Sequence, residues 1–391
     1  MLGAASTTNL PPTVQAEIAR LLARLRRRHM PGRAQTSLDT ARKTLEIMRT
    51  LVATASTKDV HALIQMIKQA GATMVAAQPH ELVIGNMVRR VLAIVREELA
   101  SAENTTPGGE GGKGGEGGGG KGERTSAGGE PSGVGGGSGV GPSLMKLLDA
   151  PDAPDYSRQP AKALKGPILE GIAEVLEELS SVSVEIAGQA IEHIHSNEVI
   201  LTFGRDPTVE AFLKAAHKKR TFDVIVAETQ PGGEGRQAAV ALAEAGISTT
   251  LISDAAVFAM MARVNKVIVG AHGVMANGGL VATAGCHLLA LAAQNASVPV
   301  VVCAGLYKLT PLFPSGPHSF NMLLSPAPML DYTDNLDTGV HVPNPAYDYV
   351  PPELVSLLIT NSGPSHSSYI YRLLSEYYHQ EDYDLSVVPV D

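Results

Sequence analysis

The sequence predicts an α/β protein: an N-terminal helical domain, residues 1–196, followed by a Rossmann-like, doubly wound parallel sheet domain, residues 197–391. Two observations carry this expectation. Through the first hundred residues apolar side chains recur at helical spacing, and after Asn197 short β-branched runs alternate with helical windows, the pattern of a parallel sheet covered by helices. A third observation sets the boundaries of the helical part. Of the 40 glycines, 19 fall between Thr105 and Pro142, where only Ala127, Val134 and Val140 are apolar. Such a tract buries too little surface to offset chain entropy, so residues 105–142 are expected to be a disordered insert between helices.

Pro12 to Met30 reads as the first helix, with proline in its first turn and Ile18, Leu21, Leu22 and Leu25 on one face. Ser37-Leu-Asp-Thr40 opens a second, which carries Leu45, Ile47, Met48 and Leu51. Ser56-Thr57 caps a third, and Gly71 closes it. A fourth runs from about Pro79 to Ala102 with Leu82, Met87, Val91, Leu92 and Val95 as its stripe. After the insert, Ala161 to Ser196 forms one long helical stretch. The expected strands are Glu198–Phe203, Phe222–Ala227, Ser248–Ile252, Asn265–Gly270, Pro299–Ala304 and Leu354–Thr360. Leu312 to Pro351 is irregular and proline-rich, yet Phe313, Phe320, Met322, Leu323, Leu324 and Tyr347 make it too apolar for a free linker. It is expected to lie against the domain or a partner.

Composition narrows function. The net charge of −8 argues against general nucleic-acid affinity, although 10 Lys/Arg face 4 Asp/Glu in residues 1–60 and the ratio inverts to 1 against 10 in residues 320–391. Arg26, Arg27 and Arg28 form the one strong basic knot, either a solvated helix face or a docking surface for an acidic partner. The longest apolar run, near Val298 to Leu306, is about half of what a membrane span needs, so no membrane partner and a cytosolic location are expected. Two cysteines, Cys286 and Cys303, suit neither a disulfide scaffold nor a cysteine zinc site, and both read as buried, inert thiols. No metal and no cofactor is indicated: GxxxxGK[ST] is absent, and the dense Gly-x-Gly patterns lie inside the insert, away from any strand-to-helix turn.

An open parallel sheet binds ligands beyond the carboxyl ends of its strands. Four loops stand there: Phe203-Gly204-Arg205, Glu228-Thr-Gln-Pro231, Asp254, and Gly270-Ala-His-Gly273 followed by Asn277-Gly278-Gly279. Asp254 serves either as a pocket residue or as the N-cap of a helix from Ala255 to Arg263. Asn277-Gly278-Gly279 is either an ordinary turn or a ligand cradle, and His272, with no carboxylate or hydroxyl at readable spacing, reads as a loop residue rather than a base.

Four runs taken together resemble one family: Asn197-Glu-Val-Ile-Leu-Thr-Phe203, Val224-Ile-Val-Ala-Glu-Thr-Gln-Pro231, Thr249-Thr-Leu-Ile-Ser-Asp-Ala-Ala256 and Lys266-Val-Ile-Val-Gly-Ala-His-Gly-Val-Met-Ala-Asn-Gly-Gly279. It is the group that joins the regulatory subunits of eukaryotic translation initiation factor 2B to sugar-phosphate aldose-ketose isomerases acting on methylthioribose 1-phosphate and ribose 1,5-bisphosphate. Thr208-Val-Glu-Ala-Phe-Leu-Lys214, Phe258-Ala-Met-Met-Ala-Arg-Val-Asn265, Tyr347-Asp-Tyr-Val-Pro-Pro-Glu-Leu354 and Ser368-Tyr-Ile-Tyr-Arg-Leu-Leu-Ser375 resemble its beta-type regulatory subunits. The isomerases use a cysteine after the first strand and an aspartate after the third. Here the cysteine position holds Gly204 while Asp254 is kept, so the resemblance implies that half of an acid/base pair is missing. A family Gly-Thr pair likewise appears as Gly285-Cys286.

The resemblance therefore implies a non-catalytic regulatory subunit of a guanine-nucleotide exchange complex. Its partners would be the delta, alpha, gamma and epsilon subunits, together with initiation factor 2, whose phosphorylated or unphosphorylated alpha subunit the helical domain would read. Arg26, Arg27 and Arg28 are candidates for that contact. By position Asn197, Val199, Asp223, Ile225, Thr250 and Ile252 match the interface with delta, against the alternative of plain sheet packing. Gly204, Asp254, Asn277, Gly278 and Gly279 would be the remnant of a ligand pocket. The alternative function is a sugar-phosphate isomerase, or a sensor that binds a sugar phosphate without turnover.

Overall fold

The computed structural model describes residues 10–26, 36–57, 59–105, 161–316, 320–330 and 340–385. All of the glycine-rich insert after Thr105, and both Arg27 and Arg28, lie outside them. The first helix, α1, spans Pro12–Leu25 with proline at its start and buries Val14, Ile18, Leu21 and Leu25. Helix α2 (Ser37–Thr54) is capped one residue earlier than the sequence suggests. The Thr36 hydroxyl accepts from the Asp39 N–H and the Asp39 carboxylate accepts from the Thr36 N–H, a reciprocal capping box.

Helix α3 differs most from expectation. It starts after Asp59 rather than at Ser56-Thr57 and runs through Gly71 to Ala77. Gly71 does not end the helix because it serves its packing: a Cβ built there would stand 2.5 Å from a methyl of Val88 on α4 (Leu82–Thr105). We expect Gly71→Ala to lower Tm. Alanine gains about 1 kcal/mol of helix propensity, but the β-branched Val88 cannot retreat, and overpacking costs about 1–3 kcal/mol. Thermal unfolding followed by circular dichroism checks this, and a raised Tm would mean that the two helices separate freely.

Helix α4 is the centre of the bundle. Val83, Ile84, Met87, Val88, Val91, Leu92 and Val95 are buried on several sides, because α2, α3 and the long helix α5 (Ala161–Gly188) all pack on it. The expected stretch to Ser196 breaks at Gln189, and only a short helical turn, Ala190–His193, follows.

The strands fall close to their expected places: β1 Val199–Phe203, β2 Asp223–Ala227, β3 Ser248–Ile252, β4 Lys266–Gly270, β7 Val300–Cys303 and β9 Leu357–Thr360. They form one parallel sheet in the order β3-β2-β1-β4-β7-β9, and a short β10 (Gly363–Ser365) adds antiparallel to β9. The proline-rich stretch is less irregular than it reads. Its Tyr347–Val350 is strand β8, which pairs antiparallel with β6 (Leu280–Thr283), and β6 pairs in turn with β5 (Gly273–Val274) in a separate three-stranded sheet.

Strand alternation divides the core between the two faces. Ile200, Val224, Val226, Ile268, Val301 and Ile359 join the helical bundle, α6 (Pro207–His217) and α7 (Glu234–Glu244) in one continuous hydrophobic cluster. Leu201, Phe203, Ile225, Val267, Val269 and Val302 pack on the other face with α8 (Cys286–Asn295) and α9 (Ile370–Tyr377). Among the described residues no helix is long and apolar enough to cross a membrane.

Candidate functional site

The strand order reverses between β1 and β4, so the ligand crevice of this fold lies beyond their carboxyl ends. Gly204 stands there, directly after β1, with φ +75°. Its N–H donates to the Thr229 hydroxyl at 2.9 Å, and a Cβ at Gly204 would come within 3.3 Å of the Thr283 hydroxyl. Thr229 in turn donates its own N–H to one Asp254 oxygen at 2.9 Å, while the Gln230 N–H donates to the other at 2.6 Å. Gly204, Thr229 and Asp254 thus form one hydrogen-bonded chain.

Asp254 is not the helix N-cap that its local sequence suggests. The segment after β3 is a 3₁₀ turn (Asp254–Ala256), a four-residue helix (Val257–Met260) and another 3₁₀ turn (Met261–Arg263), and the Asp254 carboxylate reaches sideways to the loop after β2. Both of its oxygens are engaged with the backbone.

Other groups at this end of the sheet are also committed. Asp206 caps α6 through the Thr208 N–H at 2.8 Å, and its second oxygen takes the buried Lys308 ammonium at 3.1 Å. Asn277-Gly278-Gly279 turns between β5 and β6 and is occupied by its own packing. The Asn277 carbonyl oxygen accepts from the Gly279 N–H, and its amide donates to the Tyr349 hydroxyl at 2.7 Å. Gly278 has φ +82°, and a Cβ at Gly278 or Gly279 would meet the Ser367 carbonyl or the Tyr349 hydroxyl at 2.5 Å. This turn contacts Tyr349 and Ser367 rather than the Gly204 chain.

His272 is buried, stacks on Tyr347 with ring centres 4.3 Å apart and lies 2.9 Å from the His80 carbonyl through Nε2. Both thiols are buried: burial and the nearby Asp348 push Cys286 up to about 12, and burial with Asp206 pushes Cys303 further. Neither is a nucleophile at neutral pH. Among the described residues no group of three or more His, Cys, Asp or Glu side chains could hold a metal ion.

Sequence reasoning missed Thr283, Asp206, Lys308 and Asp348, and named Thr229 only within the loop Glu228-Thr-Gln-Pro231. Asp348 receives the N–H groups of Gly285 at 2.6 Å and His287 at 3.3 Å, which places a carboxylate at the N-terminus of α8. Thr229 lay inside a run already recognised as distinctive. Nothing local marks Lys308, whose partner is 102 positions away.

The second candidate surface is a face of the sheet. In register, Val199 pairs with Asp223 and Ser248, Leu201 with Ile225 and Thr250, and Phe203 with Ala227 and Ile252, all pointing to one side. Toward β3 this side lacks cover. Asn197, Asp223, Ser248 and Thr250 are exposed, Val199 and Ile252 are half-buried, and Ile225 is buried. The cause is the β3-to-β4 connection, which carries only the four-residue helix where a doubly wound sheet ordinarily has a full one. That helix packs beside α8; it exposes Phe258 at 65%, and α8 exposes Leu288 at 62%. Arg26 is exposed at the end of α1.

Comparison with known proteins agrees with the architecture. The model of the Initiation factor 2 subunit family matches residues 33–366. The chain is 46% identical over 368 residues to translation initiation factor eIF2B subunit beta of Dictyostelium discoideum, covering 92% of this chain and 94% of that protein. It is 38% identical over 398 residues to the subunit of the same name from Schizosaccharomyces pombe, covering 96% and 99%. Among solved structures, a chain in the tetrameric eIF2B-beta2-delta2 complex from C. thermophilum superposes with a TM-score of 0.65 at 28% identity, covering 93% of this chain and 95% of that one.

Proposed function

The chain belongs to the initiation factor 2 subunit family, and on that premise we propose that it is a beta-type regulatory subunit of the guanine-nucleotide exchange complex for translation initiation factor 2. Two functional lobes divide the work. Residues 197–391 join a delta subunit and, through the assembly, the alpha, gamma and epsilon subunits. Residues 1–196 help to read the alpha subunit of the substrate factor in its phosphorylated and unphosphorylated forms, with Arg26, Arg27 and Arg28 as candidate contacts. The cytosol is the compartment where this occurs.

The observation that carries the reading is the open margin of this side of the sheet at β3, where Asp223, Ser248 and Thr250 are exposed and Val199 and Ile252 half-buried. A doubly wound sheet leaves such a face open only at a loss of burial, unless another chain covers it. Val199, Asp223, Ile225, Thr250 and Ile252 share that side of the strands, Asn197 stands exposed in the turn before β1, and a similar chain is found in a complex that contains delta. Native mass spectrometry of the chain with a delta-type subunit tests the assignment: a heteromer is expected, and a monomer indifferent to delta would overturn it.

The non-catalytic half of the reading rests on Gly204 and Asp254. Glycine supplies no proton-transfer group, and the Asp254 carboxylate is held by two backbone N–H groups. We expect Gly204→Cys to acquire no isomerase activity on pentose 1-phosphates. It is also expected to destabilise the fold by about 1–2 kcal/mol, because φ +75° strains any side chain there. Coupled enzymatic assay of the variant and wild type and thermal unfolding of the same preparations check both parts; turnover by the variant alone would show that Asp254 is still available to the chemistry, and turnover by wild type would favour the isomerase alternative.

A further inference from the structure

Residues 377–385 tie the two ends of the fold together. They begin at the last residue of α9, whose Ile370 and Leu374 belong to the core on the far side of the sheet, yet they finish against the helical bundle, where Leu385 enters the bundle's own cluster. Tyr378 donates its hydroxyl to the Leu309 carbonyl at 2.8 Å. Beyond it, four cations of the bundle converge on the segment. Arg90 lies over the Tyr377 ring at 4.8 Å, and Arg89 donates twice to the Tyr383 carbonyl, at 3.2 and 3.0 Å.

The centre of this contact is Asp382, whose side chain is completely buried. Arg96 grips it with a fork, Nε to one oxygen at 2.6 Å and Nη2 to the other at 2.9 Å, and the Lys68 ammonium adds a third contact at 2.9 Å. Burial by itself would raise the Asp382 carboxyl, but these hydrogen bonds and charges hold it below the ordinary carboxylate range. The third arm of Arg96 pairs with the half-exposed Glu381 at 2.6 Å. A buried ion pair adds little net stability over an apolar contact of the same shape, because desolvation offsets its attraction. What a fork pair supplies is geometry, since it forms only in one orientation.

We propose that this C-terminal strap is a positional latch, seated on α3 and α4, that fixes the helical bundle to the α/β domain so that the two move as one body. Its functional consequence rests on the reading above: the bundle that meets the substrate factor would be held in register with the sheet face that meets partner subunits. Hydrogen exchange on full-length Asp382→Asn tests it. Amides of α3 and α4 are expected to exchange roughly tenfold faster, while those of β1, β2 and β4 stay within about twofold of wild type. No acceleration in α3 and α4, or an equal acceleration throughout, would overturn the latch. Should Asp382→Asn fail to fold, Glu381→Ala removes only the outer arm, which is 47% exposed, and is expected to give about two- to threefold faster exchange in the same helices; unchanged exchange there would count equally against it. Native mass spectrometry with a delta-type subunit separates the two readings. If wild type fails to bind delta, the assembly role falls, and the exchange pattern still decides the latch.

Discussion

Phe212→Ala is expected to lower the unfolding free energy by about 3–5 kcal/mol and to do so for both halves of the molecule in one transition. Phe212 is fully buried on α6, stacked at 6.5 Å on His193, in the cluster that runs without interruption from the bundle to the sheet. The ring packs where α6 meets both α5 and the sheet, so its loss leaves a cavity that neither side can collapse to fill. Urea unfolding monitored separately by helical circular dichroism and by an engineered fluorophore on the sheet would show coincident midpoints. Two separated midpoints, or a loss under about 1 kcal/mol, would mean that bundle and sheet do not share a core.

Thr250→Arg is expected to weaken association with a delta-type subunit by about 2–4 kcal/mol, thirtyfold or more, and to leave the isolated chain folded. Thr250 is exposed at the middle of the edge strand β3, in register with the buried Ile225. A surface substitution of this kind alters intrinsic stability by about 0.5 kcal/mol or less. On the proposed interface, however, a guanidinium at this position would have to shed water without a partner waiting for it. Titration calorimetry of the variant against delta reads the difference, and an unchanged affinity would remove this face from the interface.

The two predictions draw on features that were unequally legible in the sequence. The strands were readable to within a few residues, because runs such as Val224-Ile-Val-Ala227 are short, β-branched and separated by helical windows. The small β5-β6-β8 sheet was not. Its strands have two to four residues, and β8 joins β6 only after the long proline-rich excursion, so neither period nor local turn signal marks it. Gly71 was misleading for a related reason: locally it terminates a helix, while the constraint that placed it there is Val88 on a neighbouring helix.

The candidate site followed the same division. Asp254 was visible as a residue with a role, but its partners, Thr229 and Gln230, come from the loop after another strand, 25 and 24 positions away. The local reading of an N-cap competed with that distant one and could not be told from it by spacing. Asn277-Gly278-Gly279 was legible as a turn and is one, closed by Tyr349 and Ser367. The open sheet face was the least legible of all. Its exposure results from the shortened connection Asp254–Arg263, whose residues fold as two 3₁₀ turns around a single helical turn.

Hydrogen exchange of the wild-type chain, alone and with a delta-type subunit, is the most direct test of assembly through that face. Protection is expected to concentrate in residues 197–203, 223–227 and 248–252. Protection confined to the helical bundle, or none on adding delta, would contradict it.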